Sequence, residues 1–395
     1  MSQQKGSGRP RVRSRIGARW WRLVLLVVAA TIASVPVVMV VGTRTTDHPI
    51  AAFAMPHPDS SRATERPLAA VTDVDRGAQL TGPGSINATD VRWNVSGADL
   101  GHTFIAGGVL YMVFGDTTGH GPHGWRSNTM ARIDTPDPAA GLRFSGMVTD
   151  TTGAAAELLH SLKVDGEEKT VIPTYGIAVG NRMYLHYMSV RRWLTPGRWE
   201  LNHSGLAYSD DQGRTWTKDP QARWPGTSNF GQVAMTSLDG YVYLFGIPGG
   251  RFGGAQLARV PEADLLQLDM YRYWGGRAWT ADPGSATIVV PGPVGELSVR
   301  WSDALHRWLM MYLDEGRSAI VLRTASRLTG PWGAEEMVTT AARYPQLYAP
   351  YMLPLQTGSD LYFTMSQFGE YQVYLMKVRL HPDALVDPGA VNATS

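Results

Sequence analysis

Five times in this chain a turn signal is followed by a run of aromatic and aliphatic residues. The runs are VLYMVFGD from Val109, RMYLHYMS from Arg182, YVYLFGIP from Tyr241, RWLMMYLD from Arg307 and DLYFTMSQ from Asp360. The turns before them are Gly107-Gly108, Gly180-Asn181, Asp239-Gly240, Ser302-Asp303 and Gly358-Ser359. Between the runs, short alternating or apolar stretches are punctuated by Gly, Pro, Asp and Asn, and no long stretch has helical period, which is an all-β texture. A unit recurring at such spacing predicts a five-bladed β-propeller, one radial four-stranded sheet per blade, with a β-sandwich of irregular hairpins as the alternative. The segment SDDQGRTW, Ser209 to Trp216, matches the Asp-box turn found on propeller blades. In that turn Asp211 binds backbone amides and Trp216 packs between strands, so it supports the fold and says little about chemistry.

The ends of the chain read differently. Seven cations, Lys5 to Arg22, fall before residue 23, and the first acidic residue is Asp47. Residues 23–42, LVLLVVAATIASVPVVMVVG, carry no charge and as a helix would span about 30 Å, the thickness of a bilayer core. The expectation is a basic cytoplasmic N-terminus (1–22), a transmembrane anchor or uncleaved signal (23–42), a Pro- and Ser-rich linker (43–70), a propeller body (71–382) and a short tail (383–395). The body would lie outside the cytoplasm on a single-pass anchor in the cell membrane, with the lipid bilayer as one partner. The net charge of +2 hides this asymmetry: without its basic head the body is acidic, so nucleic acid is not an expected partner. The absence of cysteine removes disulfides, thiolate zinc sites and cysteine nucleophiles.

Chemistry concentrates in GADLGHTFIAGGVLYMVFGD, Gly97 to Asp116. Gly-Gly suits a two-residue hairpin turn, which would set Ala106 opposite Val109, Phe104 opposite Tyr111 and Asp99 opposite Asp116. Like charges opposed on a hairpin are destabilising. Carboxyl groups about 5–5.5 Å apart are, however, the arrangement of a retaining glycosidase, and their proximity separates the two proton affinities. Alternatively one Asp caps a turn and the other pairs with Arg92 or Arg126. Glu296, in GELSVRW, occupies in the fourth unit the place Asp99 occupies in the first, with Asp314 matching Asp116. It reads either as a third acidic group of a site or as an ion-pair partner of Arg300 or Arg317. After Asp116 the glycine-rich loop TTGHGPHGWRSNTMA carries Trp125, Arg126 and Asn128, the residue types that stack on and hydrogen-bond to sugar rings, though Trp125 could equally pack a blade. His102, His120 and His123 match no metal template. No metal and no cofactor are therefore expected, with calcium in the channel left open.

GADLGHTF, YMVFGDTTG and GWRSNTMA together resemble the N-terminal signature of glycoside hydrolase family 183, formerly domain of unknown function 4185. GGRFGGAQLARV, GELSVRW, TGPW and YFTMSQFGEYQVYLMKV extend the resemblance over nearly all of residues 75–380. It implies a five-bladed propeller that acts as an endo-D-arabinanase on the arabinogalactan and lipoarabinomannan of mycobacterial-type cell walls. The family's two essential aspartates fall on Asp99 and Asp116. Ala98 departs from the small hydroxyl residue expected before the first. The expected site is thus Asp99, Asp116 and Glu296 as acidic groups, with His102, Trp125, Arg126, Asn128 and Arg251 toward a cell-wall polysaccharide. Two other readings stand beside it: a non-catalytic glycan-binding propeller, and a sialidase-like hydrolase suggested by the Asp box, although one box and no clear arginine triad speak against the latter.

Overall fold

A computed structural model describes residues 71–121 and 124–381. The chain divides into units 1–64 and 65–395, and the described residues belong to the second. The basic head, the apolar run 23–42, the linker 43–70, the tail 383–395 and His123 lie outside the described residues. Among the described residues no helix is long and apolar enough to cross a membrane.

Five antiparallel sheets make up a five-bladed β-propeller. Their innermost strands are Gly97–Ala106, Thr170–Val179, Gln232–Leu238, Leu297–Ser302 and Leu347–Thr357. Each of these packs against the next around a closed ring. The five aromatic-aliphatic runs are the second strands of the blades: Val109–Thr118, Arg182–Trp193, Tyr241–Ile247, Arg307–Asp314 and Asp360–Gln367. They are apolar on both faces because a neighbouring blade covers each face, and every residue of Arg307–Asp314 after the first is buried. The blades are not uniformly four-stranded. The first adds the short strand Trp125–Arg126, and the third has six strands, where the long segment after Pro261 folds back on the sheet.

The fifth blade is completed from the other end of the domain. Val71–Gln79 pairs antiparallel with Gln372–Leu380, from Val71 opposite Leu380 to Gln79 opposite Tyr374. This pairing covers what would otherwise be an open sheet edge and sews the ring shut. The Asp box forms as expected: Asp211 accepts from the Thr215 amide (2.9 Å) and hydroxyl (2.6 Å), and the Trp216 indole donates to the Gly213 carbonyl (3.0 Å).

Candidate active site

In each blade the N-terminal end of the inner strand and the C-terminal end of its antiparallel partner lie at the same mouth of the central funnel. Asp99 and Thr170 stand at the starts of inner strands, Tyr348 at the start of the fifth, and Glu296 immediately before the fourth. Asp116, near the end of Val109–Thr118, meets them there.

The hairpin carrying the two aspartates keeps its expected register only in part. Gly107 and Gly108 both have positive φ (55° and 78°), as a two-residue turn requires. Pairing runs from Ala106 opposite Val109 through Phe104 opposite Tyr111 to His102 opposite Val113. Beyond that, Leu100 pairs with Phe114 and Ala98 with Thr117, so the register shifts twice. Leu100 (φ 66°) and Gly101 (φ 81°) form the first irregularity. In the second, Asp99 alone stands against Gly115 and Asp116. Asp99 therefore does not face Asp116 in direct register, as the mirror spacing suggested; paired bulges re-aim both side chains at the funnel end.

Asp99 reaches the funnel with one edge and is otherwise enclosed. Tyr348 donates its hydroxyl to Asp99 Oδ2 (3.0 Å), while Oδ1 is sealed from solvent and has no hydrogen bond among the described residues. Burial pushes this carboxyl well above the usual range, and the charge of Asp116 raises it further, against the opposing pull of the Tyr348 hydrogen bond. Among the described residues Asp116 is held on one oxygen: Oδ1 accepts from Trp125 Nε1 (2.9 Å) and Thr170 Oγ1 (2.6 Å). Burial raises it to about 6, less than Asp99, because those two donors stabilise its anion. Tyr371 donates to the Asp116 backbone carbonyl (3.0 Å), fixing the strand that carries it.

Glu296 is buried, and its Oε1 accepts from Arg251 Nε (3.0 Å) and Nη2 (2.8 Å). Its other oxygen is sealed and unpartnered among the described residues. Arg251 also reaches Glu315 (3.4 Å) and lies over the Tyr348 ring, 5.0 Å from its centroid. Its carboxylate neighbours hold it firmly charged, offsetting its burial. Arg251 thus links Glu296 to the tyrosine that holds Asp99, and the ion-pair partner of Glu296 is neither Arg300 nor Arg317. Arg300 donates to the Leu355 carbonyl (3.3 Å), and Arg317 pairs with Asp314 (2.5 Å). Asp314, which ends the second strand of the fourth blade as Asp116 nears the end of that of the first, is thus committed to Arg317.

Several expected sugar contacts take structural positions instead. Asn128 is fully buried; its amide donates to the carbonyls of Leu159 (2.9 Å) and Val171 (2.8 Å) and its oxygen accepts from the amides of Leu158 (2.9 Å) and Leu159 (2.8 Å). Nothing remains for a ligand, because that fills the whole capacity of the group. Arg126 donates to the carbonyls of Ala155 (3.2 Å) and Asn94 (2.7 Å) and pairs with neither aspartate, while its Nε is buried without a partner among the described residues. Arg92 likewise pairs with neither; it lies over the Trp93 ring. His102 is enclosed, stacked on Tyr175 (5.9 Å) and edge-on to Tyr351 (5.6 Å), and burial lowers it to about 3, so it is neutral. Trp125 is half-buried, with its indole N–H committed to Asp116 and the Lys169 ammonium 5.2 Å from its ring centroid. His120 hydrogen-bonds Ser96 (3.1 Å) and Asn94. Among the described residues no cluster of three or more His, Cys, Asp or Glu could hold a metal ion.

Sequence reasoning missed Thr170, Tyr348 and Tyr371. Tyr348 is 249 positions from the aspartate it holds, and no local pattern marks it; only the closed ring makes them neighbours.

The fold and the site define a class: a five-bladed propeller whose funnel ends on enclosed carboxylates of unequal proton affinity. Residues 84–377 match the family described as Domain of unknown function (DUF4185), and the chain belongs to it. No curated protein matches the chain. Among solved structures, a candidate hydrolase from Bacteroides ovatus ATCC 8483 is similar at 14% identity and a TM-score of 0.54, covering 73% of this chain and 87% of that one. An exo-beta-1,3-galactanase from Phanerochaete chrysosporium aligns at 10% identity and a TM-score of 0.49, over 77% of this chain and 64% of that one. At these identities the likeness to the first is one of fold, and function has to be argued from the site.

Proposed function

We propose that this protein is a glycoside hydrolase that cleaves α-D-arabinofuranosyl linkages in cell-wall arabinan, with Asp99 as acid/base and Asp116 as nucleophile. The carrying observation is the unequal surroundings of the two carboxyls: among the described residues Asp99 accepts from Tyr348 and its Oδ1 is sealed, whereas Trp125 and Thr170 both donate to Asp116 Oδ1. Asp99 holds its proton well above the ordinary range, while Asp116, raised only to about 6, is ionised near neutrality and oriented through Oδ1 by Trp125 and Thr170. Two carboxyls whose environments push their proton affinities apart fit the division of labour of glycoside hydrolysis. The resemblance to glycoside hydrolase family 183 supports the arabinan substrate, and the uncharged run 23–42 behind a basic head supports a membrane tether that leaves the propeller facing the wall.

In this reading Asp116 Oδ2, which accepts no protein hydrogen bond among the described residues, attacks the anomeric carbon. As the bond from that carbon to the glycosidic oxygen breaks, Asp99 passes its proton to the departing oxygen. The products are a shortened glycan and a glycosyl ester on Asp116. Asp99, now a carboxylate, takes a proton from water, whose oxygen attacks the same carbon and frees Asp116. Both groups return to their starting states, and the anomeric configuration is retained. Glu296 adds negative charge that helps keep the proton on Asp99.

The test is incubation of the purified chain with arabinogalactan, following reducing ends and released oligosaccharides. Release by the unsubstituted chain and its loss in both Asp99→Asn and Asp116→Asn are expected, with retained configuration in the proton NMR spectrum of the first product. No release, or undiminished release by both variants, would sink the proposal. Retention of the glycan without turnover would favour a binding propeller instead.

A further inference from the structure

Three large aromatic side chains are exposed together at the funnel mouth, and sharing that mouth with the carboxylates sets them apart from apolar residues exposed singly elsewhere. Trp193 and Phe252 are each 41% exposed and Phe368 is 64% exposed. Trp193 ends the strand Arg182–Trp193, whose Val190 lies opposite Thr170, so it stands at the same mouth as the threonine that holds Asp116. Its ring meets Trp199 edge-on at 5.5 Å, and Trp199 lies 5.8 Å from the Arg251 guanidinium that binds Glu296. The Arg251 amide donates to the Gly197 carbonyl (3.0 Å), tying this hairpin tip to the loop that carries Phe252, whose ring lies 4.1 Å from the Arg198 guanidinium.

Phe368 follows Gln367, which lies opposite Leu347, so it too rises at this mouth, beside Tyr348. It packs edge-on to Tyr371 (6.2 Å), the tyrosine that fixes the Asp116 carbonyl. In a ring of five, the fifth blade, which carries Phe368, lies across the funnel from the second and third, which carry Trp193 and Phe252. The carboxylates sit between. Two small aromatic faces separated by an acidic funnel and flanked by Arg198 and Glu315 do not make the continuous apolar area of a protein interface.

We infer that Trp193 with Phe252 on one side, and Phe368 on the other, are stacking platforms for sugar rings of a glycan chain that crosses the funnel and continues past the carboxylates in both directions. An exposed ring face takes the apolar face of a sugar, and the neighbouring charged groups take its hydroxyls. This inference rests on the reading of the centre as a glycan-cleaving site.

The two are separated by measuring binding and turnover independently. Affinity electrophoresis of the full chain in gels containing arabinogalactan, in an Asp116→Asn background, reads the platforms without consuming the glycan. Trp193→Ala, Phe252→Ala and Phe368→Ala are each expected to weaken retention about tenfold. Trp301→Ala, whose ring is 36% exposed at the opposite end of an inner strand, is expected to leave retention unchanged. Thermal unfolding of all four should stay close to the parent. Retention unaffected by the three platform substitutions, equal loss with Trp301→Ala, or no retention of the parent chain overturns the inference. Reducing-end release by the unsubstituted chain reads the hydrolase separately: platform-dependent retention with no release overturns the hydrolase and leaves the platforms standing.

Discussion

Gly115 lies so close to Asp99 that a Cβ on it would stand 2.4 Å from Asp99 Oδ1. The backbone at Gly115 is not in the left-handed region, so its value lies in the missing side chain. Gly115→Ala is expected to force the Asp99 carboxyl away from Tyr348 and to lower kcat on arabinan on the order of 10²-fold, the usual cost of a displaced catalytic group. The same Cβ would stand 3.1 Å from the buried Leu100 Cδ1, so a modest fall in the unfolding midpoint should accompany the loss of rate. Near-normal kcat would show that Asp99 need not occupy this position.

The unequal carboxyls set a pH profile. Activity should rise as Asp116 ionises through about 6 and fall again where Asp99 loses its proton, well above the ordinary carboxylate range. A profile already flat at pH 5 contradicts the assignment of Asp116.

Stability should follow the same groups. Both carboxyls bind protons more tightly folded than unfolded, so the stabilisation they give is fully present below the unfolded carboxylate range and is lost as pH rises. The loss due to Asp116 should be complete just above 6. Urea midpoints measured between pH 4.5 and 7 should decline in the parent chain and decline less in Asp116→Asn.

The two limbs should move independently. The Tyr348 hydrogen bond lowers the proton affinity of Asp99, so Tyr348→Phe should shift the alkaline limb to higher pH. Trp125→Phe and Thr170→Val each remove a donor from Asp116 and should shift the acid limb upward by about one unit, the scale of a hydrogen bond to a charged group. If all three variants lower the rate without displacing either limb, these residues act on packing and not on the protons.

Arg251 holds a buried carboxylate, and breaking such a pair from one side costs about 3–5 kcal/mol. Arg251→Met should therefore destabilise strongly, whereas Arg251→Met combined with Glu296→Gln should recover most of the loss. Chemical denaturation of the single and double variants reads this coupling directly. Additive effects would mean that the pair contributes nothing as a pair.

Much of this architecture is legible in the chain. The five aromatic-aliphatic runs predict five blades because a strand covered on both faces must be apolar along its whole length, and that requirement is local. Asp99 and Asp116 are legible for the same reason: a Gly-Gly turn fixes the strands on either side of it, and the family resemblance falls on the same two positions. Asn128 and Arg126 carry the right chemistry for sugars, but all the hydrogen bonds of Asn128 and the two terminal nitrogens of Arg126 go to backbone groups about 30 or more positions away. Glu296 reads as paired with a nearby arginine, yet its partner Arg251 comes from the loop of another blade, 45 positions away.

By itself, then, the sequence determined the repeating strand, the turn chemistry and the two aspartates beside one hairpin, all of which follow from interactions between near neighbours. What surrounds those aspartates came from the tertiary fold. Two bulges turn them out of direct register, and closing the ring brings Tyr348 onto one and Thr170 onto the other. Burial and a few hydrogen-bond donors then separate their proton affinities. A carboxyl's proton affinity depends on everything packed around it, and in a ring of five blades that surrounding comes from the whole length of the chain.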